Sequence, residues 1–186
     1  MINLEASSNI KNEKKIKDKL RNQALLLIGF SGAFRRSELV AITVDDLDFV
    51  KEGVKIFVKK SKTDQSGEGM IKAIPYFDNS EFCPVKSLKK WIEYLKSEKP
   101  NEKIVFNMSD KNVTLIIKKN AVATGLDASN YAGNSLRSGF ATSTAESGAE
   151  ERQIMSMTGH KSSQMVRRYI HESNLFKNNA LRKVDL

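Results

Sequence analysis

Between positions 47 and 74 the chain has short segments whose apolar residues alternate with polar ones, and on either side of that stretch apolar residues recur at helical spacing. A period of two marks a half-buried strand and a period near 3.6 an amphipathic helix. The chain therefore has to build a small sheet into a helical body. Segments 47–49, 54–58 and 70–74 read as three antiparallel strands, joined by Lys51-Glu52-Gly53 and by the polar stretch from Ser61 to Gly69.

The flanks are helical. Residues 1–14 are polar, lack periodicity and read as a loose leader. A first helix from Lys15 carries Leu20, Ala24, Leu27 and Ile28 and ends at Ser31-Gly32. A second covers about 34–42. After the strands, Pro84 suits a first helical turn, and Val85, Leu88, Ile92 and Leu95 form one stripe. Further helices are predicted around Val113–Ile117, Leu136–Thr144, 150–157 and 162–169, with Gly125, Gly148 and Gly159 as stops, and a weak amphipathic segment spans 174–184. The expected fold is one mostly α domain, residues 15–186, with a small three-stranded antiparallel sheet.

Composition narrows the chemistry. A single cysteine, Cys83, excludes an internal disulfide framework and a zinc ribbon. The longest apolar run, Ala24 to Phe30, is far short of a membrane span. There is no HExxH, no paired carboxylate motif, no Cys/His cluster and no phosphate loop of the GxxxxGK[ST] type. The 31 Lys+Arg against 22 Asp+Glu give a net charge of +9, which points to a polyanion, nucleic acid first. Catalysis by this chain would use cations and a hydroxyl, with no metal or cofactor.

Four patterns carry that possibility, in this order: Ser31-Gly32-Ala33-Phe34-Arg35-Arg36-Ser37-Glu38-Leu39; Lys60-Ser61-Lys62-Thr63-Asp64 at a hairpin tip; Asn134-Ser135-Leu136-Arg137; and Thr158-Gly159-His160, followed by Val166-Arg167-Arg168-Tyr169. Taken singly, each residue has a structural role open to it: a solvated helix arginine, a loop lysine, a capping histidine, a half-buried tyrosine. Together they resemble the catalytic domain of the tyrosine recombinases, the phage integrase family, over roughly residues 15–180.

That resemblance implies catalytic roles for Arg35, Lys62, Arg137, His160 and Tyr169, with Glu38 supporting Arg35. Where the family usually has the histidine of a His-x-x-Arg box, this chain has Asn134, whose amide can hydrogen-bond a phosphate oxygen but cannot carry a proton. It also implies double-stranded DNA as partner, a monomer in free solution and a homotetramer on DNA, a cytoplasmic DNA-associated location, and the absence here of the family's separate N-terminal DNA-clamping domain. The implied reaction cleaves and rejoins DNA through a 3′-phosphotyrosine. Two alternatives stay open: a DNA-binding module of the same fold with weak or lost catalysis, and a type IB-like topoisomerase. The physical logic is independent of the family. Breaking a phosphodiester without a metal requires cations at the non-bridging oxygens, and planar guanidinium groups suit them better than ammonium. A tyrosine hydroxyl, with an ordinary pKa of about 10, needs such help to attack.

Overall fold

The computed structural model describes residues 2–59, 69–78, 81–160 and 162–174. Among them, helices α1 (Ile2–Ser31) and α2 (Arg36–Val40) precede a meander of β1 (Leu47–Phe49), β2 (Gly53–Val58) and β3 (Met70–Pro75). Helices α3 (Pro84–Glu98), α4 (Asp110–Ala123), α5 (Ser135–Glu146), α6 (Glu151–Thr158) and α7 (Ser163–Asn174) follow. The sheet has the order β1-β2-β3 and is antiparallel throughout.

Two expectations shift at the N-terminal side. The segment read as a loose leader is helical from Ile2, because a polar run of Lys, Glu, Asn and Leu adds turns to a helix that its buried half has already nucleated. The second helix is shorter than 34–42, since Phe34 is drawn into the core and Arg35 is extended, at φ −70° and ψ 150°. The segment after Asn174 lies outside the described residues.

Most of the apolar core is one cluster. Ala24, Leu25 and Ile28 of α1 meet Val85, Leu88, Trp91, Ile92 and Leu95 of α3 and the inner sheet face of Val54, Ile56, Val58 and Ile74. The α3 stripe is buried as its spacing predicts, and Trp91 Nε1 donates to the Val105 carbonyl at 2.7 Å. A second, smaller cluster consists of Ala141 and Ala145 of α5, Ile154 of α6 and Val166 of α7. Small residues let these helices approach closely but bury little apolar area, so α6 and α7 are held by a thinner contact than the main body.

Helix α1 is locked to α5 at its end. A Cβ on Gly29 would stand 2.6 Å from Leu136 Cδ1, and Phe30 meets Phe140 edge-on with centroids 6.2 Å apart. This contact brings the start of α5 against the loop between α1 and α2.

Candidate phosphate-binding and nucleophilic site

The α1–α2 loop is the centre of the site. Ala33 is fully buried at φ 49°, a left-handed conformation uncommon for a residue with a Cβ, which turns its carbonyl and that of Gly32 into the protein. Two residues on, Arg35 Nη1 pairs with Glu38 Oε1 at 2.5 Å, and Glu38 Oε2 accepts from the Arg35 backbone N–H at 3.0 Å. One carboxylate thus caps α2 and aims the guanidinium. The Glu38 side chain is 2% exposed and that of Arg35 19%, so Arg35 keeps an open side. The neighbouring Arg36 turns the other way, to Thr114 Oγ1 at 3.1 Å and Asp110 at 3.7 Å.

Arg137 enters from the first turn of α5 and is buried. Its Nη1 donates to the Ala33 carbonyl at 3.0 Å, while its Nη2 is buried with no hydrogen-bond partner among the described residues. Burial first, and then Arg35, push its pKa down to about 10, against the opposing pull of Glu38 and Tyr169. The side chain remains a cation at neutral pH. Asn134 sits at the N-terminus of α5, exposed, and its amide makes no cap to the helix.

The structure adds a residue that the motif reading passed over. Lys72 of β3 is 0% exposed, and its Nζ donates to the Gly32 carbonyl at 2.6 Å and the Met157 carbonyl at 2.5 Å, 4.9 Å from the centroid of the Phe34 ring. Burial, the largest influence, pushes its pKa down to about 8; Glu38 pulls the other way, and Arg137 and Arg35 add to the drop. A signal was present in the sequence. Lys72 is in phase with Met70 and Ile74 and faces Ile56 across the ladder, a core position by alternation.

His160 follows Gly159, which closes α6 in the left-handed conformation at φ 63°. Its Nδ1 is buried without a partner among the described residues. Burial, then Arg137, Arg35 and Lys72 in turn, push its pKa down to about 4, so the imidazole is neutral at pH 7. A group whose folded pKa lies below its ordinary 6.5 stabilises the fold above that pH and loses this contribution as pH falls towards 4. His160 should titrate by NMR with a midpoint near 4, with wild-type stability falling faster than that of His160→Gln between pH 6.5 and 4. A midpoint near 6.5 would show that these cations do not face the ring.

Tyr169 is half-buried on α7, packed beside the second apolar cluster with Ile170, and it interacts electrostatically with Arg137. Val166, Tyr169 and Ile170 share a helix face turned to α5, and Arg167 Nε binds Glu151 at 3.0 Å to fix α7 on α6. The structure therefore gathers Arg35, Glu38, Arg137, His160 and Tyr169 in one place. Lys62 lies outside the described residues. The hairpin stem that bears it, closed by the Val58–Met70 pair, brings Met70 Sδ to 3.3 Å from where a Cβ of Gly159 would stand.

Electrostatically, Arg35, Lys72 and Arg137 surround one carboxylate, Glu38, which leaves the site positive. Buried donors with spare capacity among converging cations suit an anion. No group of three or more His, Cys, Asp or Glu among the described residues could hold a metal ion, and no described helix is long and apolar enough to cross a membrane.

Comparison with known proteins gives this arrangement a lineage. An integrase/recombinase described as a XerD homolog, from Selenomonas ruminantium, is 46% identical over 174 residues, covering 89% of this chain and 51% of that protein. A tyrosine recombinase XerC from Staphylococcus saprophyticus is 30% identical over 188 residues, covering 94% of the chain and 55% of the relative. The chain thus spans about half the length of the curated relatives it matches. Among solved structures, the XerH site-specific recombinase in a post-cleavage complex with palindromic difH substrate aligns at a TM-score of 0.71, 17% identity, 86% of this chain and 44% of that one. XerA recombinase aligns at 0.69, with 19% identity, 90% of this chain and 58% of that one. These structural likenesses establish the mostly α fold with its small sheet. The phage integrase family model matches residues 4–175, which takes in all but the first two residues of α1, the elements through α7 and every residue of the cationic site, and the chain belongs to that family.

Proposed function

We propose that the chain carries out DNA strand cleavage and rejoining for site-specific recombination, through a covalent phosphotyrosine and without metal or cofactor. The observation that carries the reading is the pair of buried nitrogens without a partner among the described residues, Arg137 Nη2 and His160 Nδ1, in a cationic site that also holds Arg35 and interacts with Tyr169. Relatives named as XerC and as a XerD homolog, and a fold shared with recombinases solved on DNA, support the same reading.

In this mechanism Arg35 and Arg137 hold the non-bridging oxygens of one phosphodiester as phosphorus becomes five-coordinate. Tyr169 Oη attacks in line; the tyrosine O–P bond forms and the P–O5′ bond breaks. The phenolic proton leaves to His160 or to water, and Lys62, on its hairpin, gives a proton to the departing 5′-oxygen. Attack by a 5′-hydroxyl on the phosphotyrosine reverses each step, so rejoining needs no nucleotide. Glu38 orients Arg35, and Asn134 donates a hydrogen bond to the phosphate from the exposed start of α5. Double-stranded DNA is the partner, assembled with further copies of the protein during strand exchange.

The test is covalent trapping. The protein is incubated at low salt with a pool of nicked duplexes of randomised sequence, so that the short 5′-hydroxyl strand diffuses away after cleavage, and then denatured in SDS. DNA retained on the protein, with the attached nucleotide mapped to Tyr169 by peptide mass spectrometry, is the expected result. DNA bound before SDS but never retained afterwards would favour the binding module. Asn134→His should raise the rate of adduct formation several-fold, the difference between a cationic and a neutral donor to the same phosphate. An unchanged rate would show that this position does not limit the chemistry.

A further inference from the structure

Within the proposed reaction, the residues divide between two apolar clusters, which α5 joins through Leu136 and Phe140. Arg35, with the Gly32 and Ala33 carbonyls of its loop, belongs to the main core, where Phe34, Leu39 and the inner sheet face are buried together. His160 and Tyr169 belong to α6 and α7, which rest on α5 through Ala141, Ala145, Ile154 and Val166. Two of these four buried residues are alanine, and Ala149, Met155, Tyr169 and Ile170 pack against them only partly buried, a small apolar contact for a helix end that in-line chemistry must place closely.

Lys72 crosses this division. Its strand lies in the main core, paired with β2, and its ammonium binds one carbonyl on each side: Gly32 just before Ala33, and Met157 in the last turn of α6. Its two donor contacts are thus spent on backbone, its third face is turned to the Phe34 ring, and it is sealed from solvent. A lysine so enclosed does not reach substrate. Nor is it a cheap filler, because a buried ammonium is tolerated only where its surroundings compensate it, and an isoleucine or leucine would satisfy the apolar register opposite Ile56. Met157 lies three residues before His160, across the left-handed turn at Gly159, so the carbonyl that Lys72 grips sets the point from which His160 departs.

We propose that Lys72 is a positioning residue that docks the end of α6 onto the Gly32–Arg35 loop, so that His160 and the two arginines meet on one phosphate. Because β3 is also the outgoing strand of the hairpin bearing Lys62, the same contact puts the hairpin stem, the loop and α6 in a common register. This inference rests on the function proposed above for its consequence in catalysis, but the docking itself is independent of it.

Two measurements on the full chain test it. Hydrogen exchange followed by mass spectrometry should show, in Lys72→Met, amides of 154–160 and 30–36 exchanging at least about 10-fold faster while those of α3 keep their wild-type rates. Adduct formation should slow by about 100-fold with the half-saturating DNA concentration changed by less than about 3-fold, and Lys72→Arg, which keeps a charged donor, should recover most of the rate. Lys72→Gln replaces Lys72→Met if the latter does not fold. Wild-type exchange at 154–160, or equal acceleration in α3 and α6, overturns the proposal, as does failure of all three variants to fold, which would make Lys72 a residue of general stability. Should wild-type protein form no adduct, the functional reading fails while the exchange pattern still decides the docking role.

Discussion

Tyr169→Phe is expected to abolish covalent retention of DNA and leave DNA binding and thermal stability close to wild type. The substitution removes one oxygen, the atom that would bond phosphorus, and keeps the ring that packs beside Ala141, Ile154 and Val166. Loss of one partly solvated hydroxyl costs about 1 kcal/mol or less, so an inactive variant will not be inactive through unfolding. Retained DNA should fall to background in the SDS assay at DNA concentrations that still give full binding before denaturation. The neighbourhood of Arg137 makes this specific: the cation with which Tyr169 interacts is the one whose second nitrogen is buried without a partner among the described residues. An adduct that persists in Tyr169→Phe would assign the nucleophile to another residue and overturn the mechanism.

Glu38→Ala should produce the largest loss of stability of any single change at the site. The carboxylate is buried, binds Arg35 Nη1 at 2.5 Å, caps α2 through the Arg35 N–H, and is the anion facing Lys72 and Arg137. Removing one partner of a buried ion pair costs about 3–5 kcal/mol, because the remaining charge stays desolvated. For a domain of this size each kcal/mol is worth roughly 2–4 °C. A melting temperature lower by about 10 °C is therefore expected. Glu38→Gln keeps an acceptor for the cap and should lose less. With no carboxylate to oppose burial, the pKa of Lys72 should drop further. A fall of under about 2 °C in Glu38→Ala would mean that Arg35, Lys72 and Arg137 are solvated well enough not to need the anion.

Much of this could be read before any coordinates. Strand alternation from Leu47 to Ile74 and the α3 stripe from Val85 to Leu95 are properties of residue order, because a side chain's face follows from backbone period alone. The motif order also pointed to one site, and Arg35, Glu38, Arg137, His160 and Tyr169 are together in the structure. Other features were not legible. Local polarity at residues 1–14 argued against a helix, yet a helix already nucleated further along extends through them. Between Arg35 and Arg36 the resemblance chose Arg35, but the physical reason is tertiary: packing of α4 against α2 draws Arg36 to Asp110 and Thr114 and leaves Arg35 to the site.

Lys72 marks the boundary between the two kinds of information. Its register was written in the alternation of β3, but a lysine in a core register has several escapes, among them a bulge, an edge position or a snorkelling side chain. Which one is taken depends on what the opposite surface offers. Here the left-handed turn at Ala33 and the last-turn carbonyl of Met157 in α6 present acceptors at one point, and they come from segments more than a hundred residues apart in the chain. The sequence by itself determined most of the elements, their faces and the identity of the charged groups, since these follow from local period and side-chain chemistry. The tertiary structure alone decided which cations converge, which carbonyls compensate them and which nitrogens are left for a ligand, because burial and hydrogen-bond satisfaction are properties of the assembled surfaces.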